Sequence, residues 1–205
     1  MKTLLRIDAS ARLSDSHSRR LGDTFESTWR ERHPDAVVVR RDLAVNPPPH
    51  LSGEVLSGFF RGERDTPALG VSNELVDELM ACDAILVTCP VYNFHVPSTL
   101  KAWIDLVVRE GETFFLDDSG NRTGLLAGKR AYVIVARGGE VGSPNGIDPV
   151  GSYLAGILRF IGIEDTTVFS LDETVNEALV GEKIDELRER MRDSLMPTTH
   201  SKLHS

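Results

Sequence analysis

Short apolar, β-branched runs alternate with amphipathic helical stripes along most of the chain. Five runs have strand length, at 3–7, 36–40, 84–89, 130–136 and 166–171. The third and fourth are apolar almost throughout, which is how strands read when both faces are covered. Between the runs, Leu21, Phe25 and Trp29 recur every four residues after Ser18. Leu75, Val76 and Leu79 follow Ser72-Asn73, which reads as a cap. Leu100, Trp103, Ile104 and Val107 form a third stripe behind Pro97-Ser98. Tyr153, Leu154, Ile157, Leu158 and Ile161 form a fourth, closed by Gly162. A last stripe at 175–196 is mostly polar, with Ile184, Leu187, Met191 and Leu195 as its seam.

This alternation predicts an α/β fold with an open, five-stranded parallel sheet and helices on both faces. The expected organisation is one domain over 1–196 and a polar, disordered tail at 197–205. Two segments stand outside the alternation. One, at 46–70, carries Pro47-Pro48-Pro49 and scattered glycines, and reads as a long excursion between the second strand and the second helix. The other is the polar tail itself, 197–205. A loop as long as 46–70 is usually functional or mobile.

Composition narrows the partners. The 205 residues carry a formal net charge of −8, an acidic balance that argues against nucleic acid. No apolar run approaches the ~18 residues that span a bilayer. The opening Met1-Lys2-Thr3-Leu4-Leu5-Arg6-Ile7-Asp8 has no signal-peptide core, so a cytoplasmic location is expected. Cys82 and Cys89 form neither a CxxC pair nor, with the scattered histidines, a metal pattern; buried, reduced thiols are expected, and no metal site.

In such a sheet, ligands sit outside the carboxyl ends of strands, where the strand order reverses. The loop after the first strand holds Ser10, Ser14, Ser16 and Ser18 beside a helix N-terminus with unpaired N–H groups. It is neither a P-loop nor a GxGxxG fingerprint, and suits a phosphomonoester held by neutral donors. The loop after the third strand, Pro90-Val91-Tyr92-Asn93-Phe94-His95, offers flat rings to a planar ligand and Asn93 to its polar rim. After the fourth strand, Ala136-Arg137-Gly138-Gly139 lets backbone N–H groups approach a ligand edge.

These residues carry a resemblance. Ser10 with Ser16-His17-Ser18 and Pro90-Val91-Tyr92-Asn93-Phe94 with Pro97, Leu100, Lys101 and Trp103-Ile104-Asp105 resemble the FMN-dependent NADH azoreductase and quinone reductase family. So do 111–114, Gly124-Leu125-Leu126, Gly128-Lys129, Arg137-Gly138-Gly139 and Phe160-Ile161-Gly162-Ile163. The resemblance implies a flavodoxin-like three-layer fold with strand order 2-1-3-4-5, and a homodimer whose active sites lie at the subunit interface. It further implies tightly bound FMN and ping-pong transfer from NADH or NADPH to quinones and aromatic azo compounds. By the same resemblance, Ser10, Ser16, His17 and Ser18 hold the FMN phosphate. Val91, Tyr92, Asn93 and Phe94 line the isoalloxazine, and Ala136, Arg137, Gly138 and Gly139 approach its pyrimidine edge.

Departures from the family cluster around the substrate side. Val91 stands where the family usually has Met, and Ala136 where it often has Ser; the missing hydroxyl costs about 0.5–1.5 kcal/mol if its hydrogen bond is lost. His95 replaces a small or apolar residue, and Glu140-Val141-Gly142 replaces a segment that usually carries a His. Arg137 can pair with an acidic neighbour or contact flavin. No side chain is marked as an acid or base, so no catalytic residue is assigned. The rival reading is a flavodoxin-type electron carrier, which the acidic surface suits; the segments at 46–70 and 111–124 favour an enzyme with a walled pocket.

Overall fold

The computed structural model describes residues 1–139 and 148–196; the Glu140-Val141-Gly142 departure and the predicted tail lie outside them. Five parallel strands form the main sheet: β1 (Thr3–Asp8), β2 (Val37–Asp42), β3 (Ala84–Pro90), β6 (Arg130–Ala136) and β7 (Asp165–Leu171). Their order is β2-β1-β3-β6-β7, the order expected from sequence. The two numbers skipped belong to an antiparallel hairpin, β4 (Phe114–Leu116) and β5 (Arg122–Gly124), inside the 111–124 segment.

Period-two alternation sorts the strand residues onto two faces. Leu5, Ile7, Ile85, Val87, Val133 and Val135 belong to one buried cluster, together with residues of α3 (Gly70–Ala81), α4 (Ser98–Val107) and α5 (Pro149–Phe160). Leu4, Leu86, Tyr132 and Ile134 belong to the other, beneath α1 (His17–Arg32) and α6 (Glu177–Ser194). There Phe25 packs 4.6 Å from Tyr132, centroid to centroid. Both cysteines are free and buried, and burial pushes the Cys82 thiol up to about 11.

The excursion at 46–70 is not a loop throughout. Ser52 caps α2 (Gly53–Phe60), accepting from the Val55 N–H at 3.2 Å, and a 3-10 turn (Pro67–Leu69) runs into α3. Consequently Ser72-Asn73 is not a cap. It lies within α3, where the Ser72 hydroxyl donates to the Leu106 carbonyl at 2.6 Å and Asn73 donates to that of Arg64 at 2.7 Å. Buried Arg109 then ties the excursion down, donating to Ser72 Oγ at 3.0 Å, Asn73 Oδ1 at 2.8 Å and the Glu63 carbonyl at 2.9 Å. Its guanidinium also sits 4.6 Å from the centre of the Phe59 ring.

The hairpin is seated just as firmly. Phe114 meets Phe160 edge-on at 4.8 Å, and Gly124 lies against the turn after α5. A Cβ on Gly124 would stand 2.2 Å from the backbone nitrogen of Gly162, so neither backbone can yield cheaply. Gly124→Ala is expected to lower stability by about 3 kcal/mol, read by urea unfolding, because overpacking against backbone cannot be relieved by a rotamer change. A change below about 0.5 kcal/mol would show that the two turns part easily.

Candidate functional site

The site lies at the carboxyl ends of β1, β3 and β6. Backbone bonds just beyond the strands continue the sheet: the Ala9 N–H donates to the Thr88 carbonyl at 3.0 Å, and Val91 donates to Ala136 at 2.8 Å. The three loops singled out by sequence are thereby held side by side. Ser16 caps α1, with its Oγ 3.4 Å from the Arg19 N–H it accepts and 3.2 Å from Ser18 Oγ. Ser10 Oγ accepts from the Arg12 N–H at 3.2 Å and lies 3.3 Å from the Tyr92 hydroxyl, so two of the loops touch through side chains. All three serines are buried.

They line one cleft of about 140 Å³ with His17, Val91, Tyr92, Ala136 and Gly138. No carboxylate stands in the first turn of α1, so the positive end of the helix dipole meets no competing anion within that turn. Sequence reasoning missed Arg12, Pro90 and Thr174, which also border it. Thr174 arrives from the loop after β7, where its N–H donates to the Arg137 carbonyl at 3.0 Å. That loop carried no local pattern in the sequence that marked it for the site.

Tyr92-Asn93-Phe94-His95 is a tight turn. Tyr92 and His95 exchange both backbone hydrogen bonds, at 3.0 and 3.1 Å. Its central residues have positive φ, 49° at Asn93 and 68° at Phe94. Asn tolerates that region, whereas a bulky L-residue there costs about 1–2 kcal/mol. Asp15 and Glu173 also have positive φ, so all four such non-glycine residues among those described lie in loops at this end of the sheet. Backbone strain of this kind concentrates at functional sites.

The turn separates the predicted ring-binding residues. Tyr92 borders the serine cleft, while Phe94 is 92% exposed beyond it. Asn93 lines a neighbouring cleft of about 530 Å³ with Tyr92, His95, Pro97 and Lys101. Tyr92 is common to both. His95 rests edge-on against Tyr153, with ring centroids 4.9 Å apart.

Arg137 is buried and its guanidinium is ion-paired, 2.5 Å from Asp148 and 2.8 Å from Asp172. Of the two roles open to it, the acidic neighbours take the side chain. Burial pushes Asp148 up, but Arg137 outweighs it and holds the carboxyl below its ordinary value; for Asp172 burial prevails and the value is raised. Gly139 has open space where a Cβ would stand among the described residues, and at Gly138 a Cβ would make ordinary contact with Val175. Among the described residues, neither glycine is demanded by packing.

Beneath the serine loop after β1 runs a charged network that the periodicity did not reveal. Arg6 and Asp8 share the β1 face toward α1, and both are buried. Arg6 reaches Asp8 at 3.0 Å, Asp23 at 2.7 Å and Glu26 at 3.1 Å, and donates to the Arg19 carbonyl at 3.2 Å. Thr88 donates to Asp8 at 2.7 Å. Glu26 also binds Arg30 at 3.1 Å and Arg40 at 2.8 Å. Gly22 makes room, since a Cβ there would stand 2.7 Å from Thr88 Cγ2 and 2.9 Å from Arg6 Nη2.

Comparison with known proteins bears on the fold and the family. The family model described as flavodoxin-like fold matches residues 1–195. An FMN-dependent NADH:quinone oxidoreductase of Xanthobacter autotrophicus is 48% identical over 177 residues, covering 82% of this chain and 85% of that protein. One from Hydrogenovibrio crunogenus is 39% identical over 203 residues, covering 95% of this chain and 100% of that protein. Among solved structures, an azoreductase from Bacillus anthracis superposes with a TM-score of 0.83 at 24% identity, covering 94% of this chain and 98% of the other. That structure supports the fold. With curated relatives this similar over most of their length, the chain belongs to the flavodoxin-like family of FMN-dependent NADH:quinone oxidoreductases.

Proposed function

We propose that the protein binds FMN and passes electrons from NADH or NADPH to quinones and aromatic azo compounds in a ping-pong cycle. The observation that carries this reading is the cleft where the buried hydroxyls of Ser10, Ser16 and Ser18 meet the N-terminus of α1, walled by Tyr92 and Ala136. The donor set fits the phosphate end of FMN: neutral hydroxyls and backbone N–H groups, with no competing carboxylate in the helix's first turn.

FMN, when bound, would supply the redox chemistry, the exchange of a hydride equivalent between the two substrates. The chain's residues bind and orient. Ser10, Ser16 and Ser18 would hold the phosphate, and Val91 and Tyr92 would wall one side of the ring site. The Gly138 and Gly139 N–H groups would stabilise negative charge at the ring's polar edge. His95 and Lys101 line the adjoining cleft and would meet the acceptor there. A homodimer with shared active sites suits the exposed rings of Phe60 and Phe94 and the exposed Val175, apolar surface of the kind a partner subunit covers.

Reconstitution of the purified protein with FMN tests the reading. NADH- or NADPH-dependent turnover of a quinone panel is expected, with parallel-line kinetics. A flavin-loaded protein that turns over none of the panel would support the electron carrier instead.

A further inference from the structure

We propose that Arg19 is a positioning residue, a latch that fastens the phosphate loop to the end of β2. Its guanidinium forks onto the Asp42 carboxylate, Nη1 to Oδ2 at 2.5 Å and Nη2 to Oδ1 at 2.9 Å. The same Nη2 donates to the Ser10 carbonyl at 2.7 Å. One side chain from the first turn of α1 thus joins the strand on one side of β1 to the residue whose hydroxyl lines the cleft.

Each end of the latch is itself fixed. Asp42 Oδ1 also accepts from the Ala44 and Val45 N–H groups at 3.0 and 3.2 Å, so the carboxylate cannot swing away without breaking the turn after β2. The Arg19 carbonyl is held from below by Arg6. The Ser10 side chain continues the chain of contacts to Tyr92 on the far wall. A bidentate arginine–carboxylate pair confers a defined geometry that a lysine cannot reproduce.

A cation in the first turn of a helix is placed against the helix dipole. Near a phosphate site, direct pairing with the anion would be its obvious use. The geometry assigns it otherwise: Asp42 takes the fork, Asp8 stands 3.9 Å away, and the remaining contact is to a backbone carbonyl. The charge is balanced inside the protein, and both Nη groups are committed, to Asp42 and to the loop carbonyl, while the buried Nε has no hydrogen-bond partner among the described residues. Arg19 therefore acts on the ligand through Ser10, by keeping the Ala9-Ser10-Ala11 backbone in the shape that presents the hydroxyl.

The inference rests on the FMN reading for its binding arm and is independent of it for its structural arm. Arg19→Met, Arg19→Lys, Asp42→Asn and the Arg19→Met/Asp42→Asn double variant are compared in the full-length protein. Apo protein is titrated with FMN and with riboflavin, and amide hydrogen exchange is followed over residues 9–15. The latch predicts FMN affinity about tenfold or more lower in Arg19→Met, as for a lost hydrogen bond to a charged group. Riboflavin affinity falls much less, and exchange at 9–15 quickens even without flavin. Arg19→Lys, which keeps the charge and loses the fork, shifts both readouts in the same direction and carries the test if Arg19→Met does not fold.

The double variant separates mechanics from charge. A latch leaves it weak, because the fork is still missing. Recovery of FMN affinity in the double variant would overturn the inference in favour of simple electrostatics, as would unchanged exchange at 9–15 in both Arg19 variants. Failure of the wild-type protein to bind FMN would overturn the functional reading, with the exchange data still deciding the latch.

Discussion

Replacing Ser10 and Ser18 together by alanine weakens FMN binding by about 100-fold, the equivalent of roughly 3 kcal/mol for two hydrogen bonds to a charged group. The two serines line the cleft from opposite ends of the loop after β1, Ser10 just beyond the strand and Ser18 in the first turn of α1. Neither is replaceable by water at low cost, because both are buried. Fluorescence titration with FMN checks the expectation, and riboflavin is the control. It lacks the phosphate, so its affinity changes little if the serines act on that group. Equal losses for both ligands would mean that the substitutions distort the ring site. FMN affinity within about threefold of wild type would remove the serines from the phosphate site.

The other large effect is expected from Arg6→Met, which leaves Asp8 and Glu26 buried beneath α1 without their shared cation. Removing one partner from a buried charge network costs about 3–5 kcal/mol, and roughly a 10 °C fall in Tm is expected for a chain of this size. The pH dependence carries a second signature. Burial pushes Glu26 up, but hydrogen bonds from Arg40 and Arg30, and then Arg6, outweigh it and leave the folded value below the ordinary one. Its stabilising contribution is therefore complete above the ordinary carboxylate range and is lost as pH falls through the lowered folded value. Without Arg6 the depression shrinks, so acid unfolding begins at a higher pH. Urea unfolding of both proteins across the acid range measures this. Parallel pH profiles would show that Arg30 and Arg40 suffice for Glu26, and a Tm loss under 2 °C would show that the network adds little to stability.

The three loops that meet at the cleft were each legible because their local chemistry is unusual: serines ahead of a helix, rings framed by prolines, and glycines after a buried strand. What could not be read was how the loops are oriented. Tyr92, Asn93 and Phe94 are consecutive and looked like one wall. Two positive φ values turn the chain there, sending Phe94 outward and Asn93 into a neighbouring cleft. The Arg6 network escaped notice for a related reason. In Thr3-Leu4-Leu5-Arg6-Ile7-Asp8, two charges in an apolar run read as interruptions. They fall on the same strand face, and Gly22 of α1 gives them room. Ser72 misled in the opposite sense: it resembles a cap, yet α3 begins before it and its hydroxyl turns to Leu106.

By itself the sequence determined the strand and helix alternation and the parallel sheet, while the strand order came only with the family resemblance. It also marked the ends of β1, β3 and β6 as the place to look. These follow from hydrophobic period and local turn chemistry, which act over a few residues and are written in consecutive positions. Only the tertiary structure decided that Arg137 is neutralised by Asp148 and Asp172, that Thr174 joins the cleft, and that Arg19 grips Asp42 and the Ser10 carbonyl. Each of these depends on pairing groups from different loops, helices or strands. A charged side chain's partner is set by which backbones the folded sheet brings within a few ångströms, and no local pattern encodes that distance.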